Sequence, residues 1–361
     1  MTYHCLPADI HDILMKGVVI PASPLALDAA KRLDEVRQRA LYRYYAAAGA
    51  GGVAVGVHTT QFEIREPRFG LFEPLLRLAS DELGHLSRKH GRPLIRVAGI
   101  CGPTSQAVSE AQMASSLGYH IGLLSLAALR NASEEELIAH CRAVGREIPL
   151  MGFYLQPAVG GRALSRSFWT NFFRIEQVVA VKMAPFNRYA TLDVIHALAA
   201  SGRHYEVVLY TGNDDNIVAD LLTPFPVITP SGGDVLRIRG GLLGQWSVWT
   251  SRAVELLRRI HQLVDDDKPI PRDLLQTGAA LTEANAAIFD ARNGFRGCIA
   301  GIHEILRRQG LLQFSHALEP AERLSPGQTE ELDRVCRAWP FLTDDDFVRP
   351  GLDAWLKGNQ S

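Results

Sequence analysis

Lys182 ends a run of apolar residues, Val178-Val-Ala-Val-Lys-Met-Ala184, and lysine is among the side chains least often fully buried. An ammonium ion is no nucleophile. Desolvation disfavours the charged form, however, and an uncharged lysine amine condenses with ketones to give an imine. The alternative is a lysine that snorkels past apolar neighbours to solvent or to a loop carboxylate, and the residue alone does not separate the two readings. Tyr154, in Gly152-Phe-Tyr-Leu-Gln-Pro157, closes the preceding apolar run. Its phenol can exchange protons with a carbonyl oxygen one hydrogen bond from the lysine, or be a core tyrosine with a satisfied hydroxyl. Thr59 and Thr60 offer hydroxyls and backbone N–H groups to a carboxylate, or cap the turn that follows them. His58 beside them can serve as acid, base or hydrogen-bond donor. Asn213 and Asp214 are placed to meet polar groups of a ligand or to start the next helix.

Such residues act together only if one scaffold brings them to one place. Eight apolar runs recur, beginning at Gly17, Gly51, Pro93, His120, Pro149, Val178, Glu206 and Gly241. Most are too continuous in their hydrophobicity to leave one face wet, which is the mark of parallel strands covered on both sides. Amphipathic stretches lie between them, including Ala26–Ala50 and the segment after Ser133, where Ser133 and Glu136 form a capping box. Eight β-then-α units in about 250 residues predict a (β/α)8 TIM barrel, an α/β fold. A doubly wound sheet with a nucleotide site would show Gly-x-Gly-x-x-Gly after its first strand, where this chain reads Pro21-Ala-Ser-Pro-Leu. The barrel occupies residues 1–265 with a short N-terminal segment. Lys-Pro-Ile-Pro marks a break, and 266–361 form a C-terminal helical extension packed on the barrel, with Ser325 expected to cap its last helix. On such a barrel the chemistry sits where strand C-termini meet the following loops, and that is where Lys182, Tyr154 and the Thr59–Thr60 pair fall.

In that order and spacing, these segments resemble the class I aldolases typified by dihydrodipicolinate synthase and N-acetylneuraminate lyase, over most of the chain to about residue 312. Gly17–Leu25 looks like the family's opening strand. Gly52–Glu63 resembles its Gly-Thr-Thr-Gly-Glu carboxylate loop, Tyr154–Pro157 its Tyr-x-x-Pro segment, and Val178–Ala184 its Schiff-base strand. Thr211–Asp215 resembles the Gly-Asp-Asp after strand seven. The resemblance implies that Lys182 forms an imine with pyruvate or a 2-keto-3-deoxy acid, that Tyr154 relays protons, and that Thr59 and Thr60 hold the carboxylate. His58 and Asn213 complete the substrate site. The protonated imine then serves as the electron sink, with no cofactor and no metal. The family likeness further implies a homo-oligomer, a dimer or tetramer.

Departures from the family pattern are equally specific. His58 and Gln61 replace the glycines flanking Thr-Thr, and Phe62 is inserted before Glu63. The arginine that binds the synthase substrate's distal carboxylate is displaced to Arg162, and the tyrosine after strand four is missing from Ser125–Asn131. Met183 replaces an acidic residue, which suggests a more apolar loop. Arg237 and Arg239 lie in a long segment before strand eight, as anion ligands or as surface residues of a solvated loop. Dihydrodipicolinate synthesis itself is therefore disfavoured. A Schiff-base lyase, aldolase or dehydratase is the first reading, and a divergent, non-catalytic metabolite-binding barrel is the second.

Composition bounds the partners. Lys plus Arg number 38 against 39 Asp plus Glu, so net charge gives no reason to expect nucleic acid or an acidic membrane. Cys5, Cys101, Cys141, Cys298 and Cys336 are odd in number, with no Cys-x-x-Cys pair, as expected of reduced thiols. The N-terminus lacks the basic and apolar regions of a leader, and no run approaches the length of a spanning helix, so a cytoplasmic, soluble protein with a small-molecule keto acid as partner is expected.

Overall fold

The computed structural model describes residues 6–358. Eight parallel strands form the barrel expected from the sequence: β1 (Val19–Pro21), β2 (Gly52–Val55), β3 (Ile95–Ile100), β4 (Ile121–Leu124), β5 (Leu150–Leu155), β6 (Val178–Ala184), β7 (Val208–Thr211) and, after a hairpin of β8 (Phe225–Thr229) and β9 (Gly232–Leu236), the last barrel strand β10 (Ile238–Leu243). Neighbours run β2-β3-β4-β5-β6-β7-β10-β1, and a parallel bridge between Ala22 and Ala54 closes the ring. The hairpin is antiparallel and lies outside the barrel sheet, with Ile228 and Val235 exposed. The segment before strand eight thus forms a surface ribbon, and the two arginines come after it, Arg237 between β9 and β10 and Arg239 within β10. Arg237 donates to the Leu222 carbonyl at 3.3 Å, and neither Arg237 nor Arg239 lines the cavity described below.

The strands are covered by α2 (Glu35–Ala48), α3 (Phe72–His90), α4 (Thr104–Ser116), α5 (Glu134–Gly145), α6 (Arg166–Phe172), α7 (Arg188–Ser201), α8 (Ile217–Leu222) and α9 (Thr250–Asp265). The capping box forms as expected, with Glu136 N–H donating to Ser133 Oγ at 3.2 Å and Ser133 N–H to Glu136 Oε2 at 2.7 Å. The helical stretch expected from Ala26 instead begins at Glu35 behind an Asp34 cap, because Lys31, at φ 59°, turns the chain before it. At the bottom, α1 (Ala8–Lys16) plugs the barrel with Ile10 and Leu14, and the Tyr210 hydroxyl donates to the Leu14 carbonyl at 2.9 Å.

Alternation divides the strand side chains into two cores. Met151, Phe153, Leu155, Ala180 and Ala184 point inward among Ile95, Val97, Ile121 and Leu123. Tyr154, Val181 and Met183 point outward and pack beneath the helices. Beyond α9 come α10 (Arg272–Ile288), α11 (Cys298–Arg308), α12 (Gln328–Ala338) and α13 (Asp345–Lys357). Ser325 does not cap α12. Gly327 stands at the cap position, and the Ser325 hydroxyl donates to Asp290 Oδ2 at 2.5 Å. The helix α13, not anticipated from the sequence, packs on α2. Cys101, Cys141, Cys298 and Cys336 are free thiols, and Cys5 lies outside the described residues. No described helix is long and apolar enough to cross a membrane.

Candidate active site

Strand parity aims Lys182 into the barrel, since Val181 and Met183 on either side of it belong to the outer core. Its backbone pairs with Phe153 on β5 and Tyr210 on β7. Only 8% of the residue is exposed, and among the described residues Nζ makes no hydrogen bond or ion pair. The ammonium position lies 4.4 Å from the Phe153 ring centroid. Room for the stem comes from Gly212: a Cβ there would sit 2.6 Å from Lys182 Cε. That contact is shorter than real Cβ atoms adopt, and the same Cβ would lie 2.9 Å from Ala184 Cβ, so any side chain at the position after β7 would displace the lysine stem from its path.

The amine faces a cavity of about 590 Å³, open mouth included, at the C-terminal end of the strands. Its floor and near wall come from Ala22, His58, Thr59, Phe153, Gly212 and Asp214. Asp214 supplies the opposing charge. Its Oδ1 accepts the Gln245 N–H at 3.2 Å, and its carbonyl accepts Asn285 Nδ2 at 2.7 Å, which anchors the residue from β10 and from α10. Burial pushes the Lys182 amine down from its ordinary value while the Asp214 charge opposes that shift. Burial likewise pushes the Asp214 carboxyl up, opposed first by the lysine and then by the Gln245 N–H. Both groups are thereby drawn toward neutral pH, the range in which a proton can move between them. Burial, reinforced by the lysine's charge, lowers His58 to about 4, so its imidazole is neutral at physiological pH.

The two threonines are less free than their hydroxyls suggest. Thr60 Oγ1 donates to the Ser23 carbonyl at 2.7 Å and accepts the Gly56 and Val57 N–H groups, so it braces the turn and does not line the cavity. Thr59 lines the cavity, yet its hydroxyl proton goes to the Ala22 carbonyl at 2.6 Å. A hydroxyl that has given up its proton offers only acceptor lone pairs, so donation to a carboxylate falls to the backbone. The N–H groups of His58 and Thr59 bond to no acceptor among the described residues. Gln61, in the left-handed region at φ 71°, ties this turn to the C-terminal segment by accepting the Leu318 N–H at 2.7 Å.

Two expected site residues lie elsewhere. Tyr154 belongs to the outer core, paired in register with Met183 and packed 5.3 Å from the Trp169 ring. Its hydroxyl is engaged by the backbone of Leu164 as both donor and acceptor at 3.3 Å, so no phenol reaches the lysine. The inward strand neighbour of Lys182 is Phe153. Asn213 is also outside the cavity: its side chain accepts the Phe186 N–H at 3.1 Å and donates to Asp220 at 3.0 Å. It holds the backbone of Phe186, which sits at φ 48°, a strained conformation for an aromatic residue. The next residue, Asp214, is the one that faces the site.

Other expectations resolve similarly. Arg162 donates to the Leu129 and Ala132 carbonyls at 2.6 and 3.1 Å, which fixes it to the loop after β4. Met183 faces the helices, so the apolar character of the site has another source. Trp246 and Trp249, which follow β10, are buried in the outer core and pack there. What sequence reasoning missed is the apolar part of the lining: Leu155 at the end of β5, Val159 and Phe186 from the barrel loops, Phe289 and Phe295 from the α10–α11 connection, and Cys298 at the start of α11. Phe186 and Phe295 meet edge to face at 6.0 Å, and Phe295 is also left-handed, at φ 66°. Their convergence joins segments more than a hundred residues apart, for which no local pattern exists. Positive-φ phenylalanines carry no sequence signal either.

Comparison with solved structures places this architecture among known ones. A prophage protein of the dihydrodipicolinic acid synthase family from E. coli K12, YagE, solved in complex with pyruvate, superposes with a TM-score of 0.72 at 17% identity, covering 91% of this chain and 99% of that one. Dihydrodipicolinate synthase from Aquifex aeolicus gives 0.72 at 16% identity over 91% and 99% of the two chains. N-acetylneuraminate lyase from Fusobacterium nucleatum gives 0.68 at 16% identity over 90% and 99%. The chain has the fold of these lyases and synthases. No protein-family model and no curated protein sequence matches it.

Proposed function

We propose that this chain is a divergent member of the dihydrodipicolinate synthase and N-acetylneuraminate lyase family, a Schiff-base-forming lyase or aldolase acting on pyruvate or a 2-keto-3-deoxy acid. The observation that carries the reading is a buried lysine with no bonded partner among the described residues, its amine pushed toward the neutral form, facing a cavity at the strand C-termini. The Lys182 lone pair attacks the keto carbon, the C=O π electrons pass to oxygen, and the resulting carbinolamine loses water to leave a protonated imine. The imine withdraws electrons from the adjacent carbon, so a C–C bond can break or form, or a hydroxide can leave, through an enamine. The unbonded His58 and Thr59 N–H groups suit the keto acid's carboxylate. Asp214, raised by burial, takes the proton-shuttling role expected of Tyr154, and neutral His58 serves as a hydrogen-bonding group. A homo-oligomer, dimer or tetramer, belongs to the same reading, and sedimentation velocity tests it: a monomer across the micromolar range would remove it.

Borohydride reduction in the presence of pyruvate should leave a covalent adduct on Lys182, and Lys182→Ala should lose it. Absence of an adduct across a panel of 2-keto acids would rule the mechanism out. The outward turn of Tyr154 favours a second reading, a barrel that binds a metabolite without turning it over. Thermal stabilisation by keto acids that persists in Lys182→Ala, with no trapping in the wild type, would select that reading.

A further inference from the structure

The cavity lining is mostly apolar. Its charge lies on Lys182 and Asp214. Leu155, Val159, Phe186, Phe289 and Phe295 contribute apolar surface, and the Phe289 ring packs at Gly244 beside Thr59. The polar members Gln156 and Cys298 carry no charge, and burial holds the Cys298 thiol in its protonated form. No arginine lines the cavity: Arg162 is committed to backbone carbonyls, and Arg296, next to Phe295, is exposed and outside the lining.

We infer that the second reactant is an uncharged apolar aldehyde, aromatic or aliphatic, so that the reaction is R–CHO + CH₃–CO–COO⁻ ⇌ R–CH(OH)–CH₂–CO–COO⁻ with R an apolar group. The inference rests on the Schiff-base reading above and narrows its substrate. In the forward direction the pyruvate enamine's carbon forms the new C–C bond to the aldehyde carbon. The aldehyde π electrons move to its oxygen, which takes up a proton, and water then hydrolyses the imine to release Lys182. In reverse the same C–C bond breaks and the electron pair returns to the enamine. Ring edges and faces suit an apolar R group through dispersion and edge-to-face packing. A carboxylated aldehyde would bury its charge against those rings with no cation to receive it, and a polyol would leave hydroxyls unpaired. Discrimination comes from both effects: apolar contact favours the right substrate, and unpaired polar groups disfavour the wrong one.

The shape of the aromatic lining is held by the fold rather than left to chance. Asn213 fixes the Phe186 backbone from β7, and Phe186 and Phe295 bear on each other with both backbones in the left-handed region. Aromatic side chains held in sparsely populated conformations on two separate loops, facing one cavity, are what a preorganised binding wall requires.

The test uses the full chain with pyruvate and four aldehydes: benzaldehyde and hexanal against succinic semialdehyde and glyceraldehyde. Pyruvate trapping on Lys182 is measured first, and loss of pyruvate in the presence of each aldehyde second. The expected result is kcat/KM at least tenfold higher for benzaldehyde and hexanal than for the other two. In Val159→Arg, at a partly exposed position that can accept the larger side chain, the ratio of succinic semialdehyde to benzaldehyde turnover should rise at least tenfold. In Phe295→Leu the preference for benzaldehyde over hexanal should fall. Trapping of pyruvate together with equal or better turnover of succinic semialdehyde or glyceraldehyde overturns the substrate assignment and leaves the Schiff-base reading standing. Trapping without turnover of either apolar aldehyde overturns the assignment as well. Failure to trap pyruvate overturns both.

Discussion

At the residue scale, the decisive pair is Lys182 and Asp214. Burial and mutual charge act on them in opposite senses: desolvation lowers the amine and raises the carboxyl, and each charge counteracts the shift of the other. The sign of a substitution follows. Asp214→Asn removes the negative charge that favours the ammonium form, so desolvation acts unopposed and the amine's pKa falls further. The trapping rate with pyruvate, followed against pH, should rise with pH through a midpoint below that of a free lysine at about 10.4. In Asp214→Asn that midpoint should move to lower pH, even as the maximal rate drops through loss of a proton carrier by about 10²-fold or more. A midpoint that stays put, or moves up, would show that the two groups do not interact. His58 should contribute no inflection between pH 5 and 8, because burial and the lysine's charge hold it near 4.

Elements determine which of the candidate residues can meet. Strands β5 and β6 were legible because each is a continuous apolar run, the pattern of a strand covered on both sides. That same continuity conceals parity. Where inward and outward positions are both apolar, period-two alternation leaves no mark, and Tyr-x-x-Pro says nothing about which face the tyrosine takes. Lys182 breaks the run on β6, but β5 has no such marker. The Phe153–Lys182 register therefore emerges only in three dimensions, and it sends Tyr154 outward. Asn213 and Asp214 pose the same problem beyond a strand end, where successive residues face different ways. Tyr154→Phe separates the two placements. Facing the helices, it loses only the Leu164 hydrogen bonds, a cost of about 1–3 kcal/mol in stability for each buried group left without a partner, and pyruvate trapping should stay within threefold of wild type. A proton relay would instead lose on the order of 10² to 10⁴ in rate. Retained trapping with a lowered Tm is the expected outcome, and a loss above a hundredfold at unchanged Tm would return the phenol to the site.

Across the whole molecule, the C-terminal arm does more than cover the barrel. Two of the buried side chains that attach it, Asp344 and Gln328, hold different parts of the arm. Asp344 accepts hydrogen bonds from Tyr44 Oη at 2.7 Å, Ser251 N–H at 3.1 Å and Gln309 Nε2 at 2.8 Å, joining α13 to α2 and α9 through residues that do not line the cavity. Gln328, at the start of α12, donates to the carbonyls of Ala287, Ile288 and Gly297 at 3.1 to 3.3 Å, so it grips both ends of the turn that carries Phe289 and Phe295. Gly297 and Gly301 are small enough to admit it, since a Cβ on Gly297 would lie 2.0 Å from Gln328 Oε1 and one on Gly301 would lie 2.7 Å from Gln328 Nε2. Either truncation leaves buried polar groups without partners, at about 1–3 kcal/mol for each group, so Asp344→Ala and Gln328→Ala should both lower Tm by several degrees. Their effects on the site should differ. Loosening the turn moves the phenylalanine wall, whose Phe289 ring packs at Gly244 beside Thr59, and should weaken keto-acid binding in Gln328→Ala, read as a thermal shift with pyruvate at least several-fold less sensitive to concentration. Asp344→Ala should keep the wild-type concentration dependence on its lowered baseline. Equal changes in binding for both variants would mean that the arm acts on the cavity as one rigid cover, and unchanged binding in Gln328→Ala would mean that the aromatic wall stands without its brace.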